Sequence, residues 1–225
     1  MVSRKARPRQ SELLAQMEET SMRRYLLVLV VLLAGSVLCT ASAQETAISI
    51  PILNPGFEDD VLACAGGVVY CYEFSITGWL CGPSTSVFKP STAQFPGGVP
   101  GGVNIAMIGG SYASGDVIAA SGSILQTLGA TVQANTTYVL RLSVGARADA
   151  AFAGYVAALM AGNVTLASDS SLAPAAGTFL TDVIVYKSGA NPPQLGQPLT
   201  IFIKSKGTTG GVAVDNVSLY ATPTS

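Results

Sequence analysis

The stretch from Thr137 to Arg147 alternates between two kinds of residue with a period of two. One set is apolar and the other is mainly polar; the apolar set is Tyr138, Leu140, Leu142 and Val144. Successive side chains of a β-strand point to opposite faces of a sheet. The alternation therefore predicts a strand with one buried face and one mainly solvated face.

Similar strand signals recur at short, even spacing after Gln44, and no stretch carries a convincing helical pattern. The other predicted strands are 48–53, 78–80, 103–108, 124–128, 155–160, 164–167, 178–187, 199–204 and 212–220. About nine or ten strands separated by turn residues predict an all-β fold, a two-sheet antiparallel β-sandwich or jelly roll. Two proline-rich segments, 82–102 and 188–198, are predicted loops, which at this length are either functional or mobile.

The N-terminal region has the pattern of an export signal. Arg23 and Arg24 precede an apolar run, and Ala41-Ser42-Ala43 supplies a small-x-small cleavage site. We expect a signal peptide over 22–43, cleavage before Gln44 and a secreted, extracellular or cell-surface product. A retained N-terminal anchor is the alternative, although the run is short for a membrane span. Residues 1–21 are interpreted as a misannotated or disordered extension ahead of Met22.

Residues 44–225 are expected to form a single β-sandwich domain with no membrane span. This part holds six basic and ten acidic residues, so it offers no concentrated positive face. Nucleic acid is therefore excluded as a partner.

Three cysteines remain in the expected mature chain, Cys64, Cys71 and Cys81. An oxidising compartment favours one disulfide among them and leaves one thiol free. Cys64 with Cys71 and Cys71 with Cys81 are both plausible pairs. A zinc site is a poor alternative, because the chain has no histidine and the cysteine spacing does not match a zinc ligand set.

The residues that usually perform catalysis are missing or scattered. The absence of histidine removes the commonest general base, and no Gly-x-Ser-x-Gly motif is present. Asp59 and Asp60 are adjacent, so on a strand they would point to opposite faces. The other aspartates, which are Asp116, Asp149, Asp169 and Asp182, are assigned to solvated turns and outer faces. From the residues alone we expect no enzyme.

Five short motifs in order carry a resemblance to a known fold family. They are Asn54-Pro55-Gly56-Phe57-Glu58, Gly78-Trp79, Ile124–Leu128, Asn135–Tyr138 and Asp215-Asn216-Val217-Ser218-Leu219. Together they resemble the galactose-binding-like jelly rolls, which include many carbohydrate-binding modules. The stretch from Phe152 to Phe179 is similar to secreted bacterial proteins of the PEP-CTERM type, although no sorting tail follows it here.

The resemblance implies a structural Ca²⁺ near the ends of the first and last strands. Carried over by position, Glu58 and Asp215 would supply its carboxylate ligands. Calcium takes six to eight oxygen ligands, and backbone carbonyls would complete the shell. The alternative is that Glu58 caps or pairs locally and that Asp215 orders a turn.

The resemblance also implies a secreted, non-catalytic binding module of the carbohydrate-binding type. Trp79, Tyr112 and Tyr155 are its candidate ligand residues, because a flat aromatic ring matches the C–H face of a sugar. The alternative for Trp79 is a core position, and the two tyrosines could equally close the ends of the sandwich. A structural or adhesive surface protein without a sugar site is the competing function, so glycan and matrix components are the candidate partners.

Overall fold

A computed structural model describes residues 45–63, 71–109, 122–207 and 209–224. This part of the chain contains twelve β-strands and no helix. The chain divides into Met1–Gln44 and Glu45–Ser225, and only the second unit is described below. The strands are β1 (Ile48–Ile50), β2 (Cys71–Glu73), β3 (Leu80–Cys81), β4 (Thr85–Lys89), β5 (Ile105–Ile108), β6 (Ser123–Thr131), β7 (Thr136–Ala146), β8 (Tyr155–Ala161), β9 (Val164–Asp169), β10 (Thr178–Lys187), β11 (Pro198–Ser205) and β12 (Val212–Pro223).

The strands form two antiparallel sheets. The larger sheet has the order β10-β7-β12-β5-β4-β2, and β1 adds to it by pairing with β12. The smaller sheet has the order β3-β6-β11-β8-β9. The predicted all-β, two-sheet antiparallel sandwich is thus confirmed.

The main core lies between the two sheets. Tyr138, Leu140 and Leu142 of β7 are at most 1% exposed and belong to it, as the alternation predicts. Leu159 of β8 and Ile201 of β11 are fully buried in the same core from the smaller sheet. Burial of these apolar side chains contributes roughly 1.5–3 kcal/mol each relative to exposure.

A second, smaller core lies on the outer face of the larger sheet. It contains Phe88, Phe95, Ile105, Met107 and Ala213. Residues 90–104, which we call the cover loop, supply Phe95 and close over this face. The prediction that 82–102 is all loop was wrong, because β4 lies within it. Both faces of β4 are buried, so its sequence does not alternate.

Candidate functional site

The turn after β1 and the last strand meet at two carboxylates, Glu58 and Asp215. The amide of Val217 donates a hydrogen bond to the carbonyl of Pro55 (2.9 Å), which ties the Asn-Pro-Gly-Phe-Glu turn to β12. Phe57 adopts a φ of 61° and is fully buried, which turns the chain so that Glu58 faces the cover loop. Two residues 157 positions apart in sequence thereby become electrostatic neighbours.

Asp215 is fully buried on the outer face of the larger sheet. Its Oδ2 accepts a hydrogen bond from the amide of Gly101 (2.8 Å), and its Oδ1 accepts one from the amide of Asn216 (2.7 Å). Burial raises the pKa of Asp215 to about 7, against the lowering effect of these amides, and the neighbouring Glu58 carboxylate adds to the rise. The carboxyl can therefore give or take a proton near neutral pH.

Glu58 holds the end of the cover loop in place. Its Oε1 accepts hydrogen bonds from the amides of Val103 (2.8 Å) and Asn104 (2.7 Å). Gly102 has a φ of 61°, and a Cβ at this position would overlap the Glu58 carboxyl group. The close approach of loop and carboxylate thus depends on glycine.

An open recess of about 450 Å³ lies beside this pair of carboxylates. Its wall is mainly apolar, and it is lined by Pro96, Gly97, Gly98, Val99, Pro100, Ala176, Gly177, Thr178 and Phe179. The ring of Phe179 stacks on Phe95 with centroids 4.5 Å apart. Phe179 pairs with Gly145 across the sheet, and a Cβ on Gly145 would overlap that ring. This apolar wall was not predicted from the sequence, although Phe95 within the proline- and glycine-rich segment 82–102 was an available signal.

The recess and the buried carboxyl occupy neighbouring rows of one sheet face. Phe179, Gly145 and Ala213 form one cross-strand row, and Ser143 with Asp215 belongs to the next row on that face. Rows on the same face are separated by two residues, which is roughly 7 Å along a strand. Phe179 on β10 and Asp215 on β12 are also two strands apart, roughly 10 Å across the sheet. The cover loop links the recess to the carboxyl, because Pro100 lines the recess and Gly101 donates to Asp215.

The donor set at Glu58 and Asp215 does not by itself match a calcium site. Both carboxylates already accept backbone amides. In the ranges that the structure describes, no group of three or more acidic, cysteine or histidine side chains converges on a point. Calcium takes six to eight oxygens, so calcium binding here stays a prediction and no chemical step below depends on it.

The aromatic candidates are not arranged as an open sugar platform. Trp79 is only 7% exposed, packs on Phe57 with ring centroids 5.7 Å apart and donates from Nε1 to the carbonyl of Asn54 (3.2 Å). Tyr155 is fully buried. Tyr112 lies outside the described residues. Trp79 therefore takes its core alternative, and Tyr155 is likewise buried in the main core.

Tyr155 belongs to a polar cluster with two carboxyl groups between the sheets. Its hydroxyl lies 2.9 Å from Oδ2 of Asp169 and 2.7 Å from Oδ2 of Asp182. Burial raises the pKa of Asp182, which is 4% exposed. The assignment of Asp182 to solvated surface was therefore wrong: its strand, β10, turns this side chain inward toward Tyr155.

Among the described residues, no two cysteines are joined to each other. Cys81 carries a free thiol, whose pKa is raised by burial. Cys71 is disulfide-bonded, but its partner is not among the described residues, and Cys64 lies outside them. The free thiol of Cys81 excludes its pairing with Cys71. The pairing of Cys64 with Cys71 stays a prediction.

The N-terminal expectations fall on residues 1–44, outside the described ranges. The signal peptide, its cleavage before Gln44 and export therefore stay predictions. Within the described ranges, no helix is long and apolar enough to cross a membrane.

The chain is similar to known cyclases over most of its length. The family model of the HpiC1-like proteins, described as HpiC1 cyclase, matches residues 48–220. A solved Stig cyclase, Fisc from Fischerella sp. TAU in complex with (3Z)-3-(1-methyl-2-pyrrolidinylidene)-3H-indole, is 28% identical with a TM-score of 0.69. The match covers 80% of this chain and 100% of that one. A cyclase from Fischerella sp. TAU in complex with 4-(1H-indol-3-yl)butan-2-one is also 28% identical, with a TM-score of 0.66, and covers 79% and 99% of the two chains.

Carbohydrate-binding modules resemble the chain much less. The CBM22-1 xylan-binding domain of Paenibacillus barcinonensis Xyn10C is 15% identical with a TM-score of 0.42, covering 68% of this chain and 91% of that one. A likeness at this level carries no functional argument. No curated protein sequence matches the chain.

These comparisons correct the functional expectations drawn from the sequence. The family is one of enzymes, so the expectation of a non-catalytic binding module was wrong, and so was the alternative of a structural or adhesive protein. Glycan and matrix partners are likewise wrong, because the similar structures hold small indole compounds. The resemblance to galactose-binding-like jelly rolls predicted the sandwich correctly but not the chemistry, since a fold does not determine a function. With the family model matched over more than half of its length, the chain belongs to the HpiC1-like cyclase family.

Proposed function

We propose that the protein is an enzyme that cyclises a small molecule carrying an indole-type ring, with Asp215 as the proton donor. Membership of the cyclase family and the indole compounds bound by two similar structures support the reaction class and the substrate class. The observation that carries the role of Asp215 is its full burial with a pKa of about 7 beside an apolar recess.

Ring closure by this route is an isomerisation in which atoms and charge balance. A proton moves from the Asp215 carboxyl to an unsaturated carbon of the substrate, which leaves an electron-poor carbon. An electron-rich carbon of the same molecule attacks that centre, and one new carbon–carbon bond forms. The resulting cation then returns a proton to the carboxylate. A carboxyl with a pKa near the working pH serves both transfers well.

The recess has the properties that such a reaction requires. Its volume of about 450 Å³ lies in the ordinary range of small-molecule sites. Phe179 provides a flat apolar wall for an aromatic ring. Its mainly apolar wall also reduces the number of water molecules that can reach a cationic intermediate bound against it.

The cover loop controls how the substrate meets the acid. Pro100 lines the recess, and the next residue, Gly101, donates its amide to Oδ2 of Asp215. Because Asp215 is fully buried under this loop, a substrate reaches it only when Gly101 moves aside. A short displacement at Pro100 and Gly101 would join the recess to the carboxyl.

The test is a conversion assay with the purified protein and a panel of indole compounds that carry unsaturated side chains. We expect at least one product of unchanged mass and altered retention in liquid chromatography with mass spectrometry. Asp215→Asn should lower the rate by roughly 10²–10⁴-fold, the usual contribution of a general acid. Glu73→Gln, which removes an exposed charge on β2, should leave the rate unchanged.

Two results would contradict the proposal. One is that no indole compound in the panel is converted by the wild-type protein, which would remove the substrate class. The other is full activity of the Asp215→Asn variant. This result would show that Asp215 is not the proton donor, although the protein would still be a cyclase.

A further inference from the structure

An ion pair between a buried arginine and an exposed aspartate lies beyond the end of β7, on the side of the sheet covered by the loop. Arg147 is 5% exposed, and its Nε donates to Oδ1 of Asp149 (2.8 Å) while an Nη donates to Oδ2 (2.6 Å). The guanidinium also lies 5.1 Å from the ring centroid of Phe88. A two-pronged arginine–carboxylate pair of this kind has strong orientational preference, so Asp149 is held in one position.

Asp149 in turn anchors the first part of the cover loop through Gln94. The Nε2 of Gln94 donates to Oδ2 of Asp149 (3.2 Å), and the carbonyl of Gln94 accepts the amide of Ala148 (3.0 Å). Gln94 is 1% exposed, and its Oε1 accepts the amide (2.7 Å) and the hydroxyl (3.1 Å) of Ser91. Side chain and backbone of this one residue thus fasten the 91–95 turn to the sheet.

Neither residue of the ion pair is among the groups that shift the pKa of Asp215. Ser143 pairs with Asp215 across the sheet, and Arg147 follows four residues later in the chain. Four residues of extended strand span roughly 13 Å. The hydrogen bonds show a connection between the pair and Asp215 through the cover loop.

The segment of the cover loop between Gln94 and Gly101 connects the ion pair to Asp215. Gln94 anchors one end, and the amide of Gly101, seven residues later, contacts Asp215 at the other. Between them, the amide of Gly98 donates to the carbonyl of Phe95 (2.9 Å). Gly98 and Val99 line both the recess of about 450 Å³ and a second one of about 190 Å³, so this segment separates the two recesses.

We propose that Arg147 and Asp149 are positioning residues of the cyclase, which hold the cover loop over Asp215 by fastening Gln94 to the end of β7. The inference rests on the proposed function, because the loop matters for catalysis only if Asp215 is the acid. A firm anchor at Gln94 keeps Gly101 on the carboxyl and keeps Asp215 out of contact with water between substrate entries.

The test measures loop opening directly, by hydrogen exchange and mass spectrometry on the full chain. Gln94→Asn shortens the side chain by one methylene, so it no longer spans to Asp149 but leaves the Arg147–Asp149 pair intact. The shorter side chain also draws its oxygen away from Ser91, so loss of these hydrogen bonds should speed exchange over residues 95–101 at least roughly tenfold. Exchange over β7 should stay at the wild-type rate, as it should throughout for Glu73→Gln.

Two variants of Asp149 distinguish a local effect on the cover loop from misfolding of the whole domain. Asp149→Asn removes the charge that holds both Arg147 and Gln94, and the same local acceleration is expected; if this variant does not fold, Gln94→Asn decides the question. Asp149→Glu keeps the carboxylate and should return exchange toward the wild-type rate. Equal exchange of residues 95–101 in wild type and Gln94→Asn, or acceleration spread evenly over all strands, would overturn the proposal.

Activity supplies an independent readout. In Gln94→Asn the loosened loop admits water to Asp215, so the pH at which kcat/KM falls by half should shift below the wild-type value. If exchange changes as expected while no variant or wild type converts any substrate, the anchor stands and the proposed function fails. If Asp215 is confirmed as the acid but exchange and pH profile match the wild type, the positioning role alone fails.

Discussion

At the scale of single residues, Asp215 shows how burial turns a common side chain into a candidate catalyst. An aspartate carboxyl exposed to water has an ordinary pKa of 3.8, whereas burial under the cover loop raises the pKa of Asp215 to about 7. Glu58 contributes through its negative charge. The amides of Gly101 and Asn216 donate to Asp215, and those of Val103 and Asn104 donate to Glu58. The same two residues without the loop would be ordinary surface acids.

The raised pKa of Asp215 predicts a pH dependence of stability. Folding raises this pKa from 3.8 to about 7, so in this interval the folded state binds more protons than the unfolded state. The contribution is complete below about pH 3, declines as the pH rises from there to 7 and is absent above pH 7. The loss is on the order of 4 kcal/mol, at about 1.4 kcal/mol per pKa unit.

Denaturant unfolding at pH 4, 5.5, 7 and 8.5 measures this effect. The difference in unfolding free energy between wild type and Asp215→Asn should decline toward pH 7 and then level off. A difference that does not vary with pH would mean that the carboxyl titrates alike in both states.

Gly145 offers a test of the recess wall. Gly145→Ala would push the Phe179 ring out of its stack with Phe95, because the new Cβ overlaps that ring. Overpacking of this kind destabilises proteins by about 1–3 kcal/mol. We expect affinity for 4-(1H-indol-3-yl)butan-2-one, measured by calorimetry, to fall roughly tenfold, since the displaced wall narrows the recess.

The matched control is Gly129→Ala on β6, where a Cβ would meet nothing within 4 Å. This variant should bind the probe as the wild type does. Equal probe affinity for Gly145→Ala and Gly129→Ala would show that Phe179 does not border the binding site.

At the scale of strands, the sequence predicted best the bounds of those strands that have one buried face and one solvated face. β10 was predicted over 178–187 and is observed over the same residues, and β7 differs by one residue at each end. β4 was missed, because the cover loop buries its second face and thereby removes the alternation. β2 was missed as well, and at three residues it is too short to show a period.

The calcium prediction can be tested through stability, because its two ligands lie in the turn after β1 and in β12. A cation at Glu58 and Asp215 would replace the proton that neutralises this pair and would join the turn after β1 to β12. Because a ligand stabilises the state that binds it, calcium at about 100 times its Kd would add roughly 2.7 kcal/mol. Thermal unfolding at pH 8 should then show a higher Tm with calcium than with a chelator.

Asp215→Ala should remove most of that difference. Identical melting of the wild type with calcium and with chelator would mean that no calcium binds at the two carboxylates.

At the scale of the whole molecule, the sequence located the site better than it assigned its role. The motifs at both ends of the domain identified Glu58 and Asp215 as neighbours, which their hydrogen bonds to adjacent loop amides bear out. Their interpretation as metal ligands came from the resemblance, while burial by residues 90–104 and the recess beside Phe179 depend on long-range packing that no local pattern encodes. The absence of histidine excluded the commonest acid but not a buried aspartate.

The most direct test of the central claim is the pH dependence of kcat/KM for a converted indole substrate between pH 5 and 9. Because the active form carries a proton on Asp215, we predict that kcat/KM falls as pH rises through about 7. Glu73→Gln should follow the same curve, and Asp215→Asn should show a low rate without that step. A wild-type rate that stays constant through pH 7, or the same step in Asp215→Asn, would contradict the assignment of Asp215 as the proton donor.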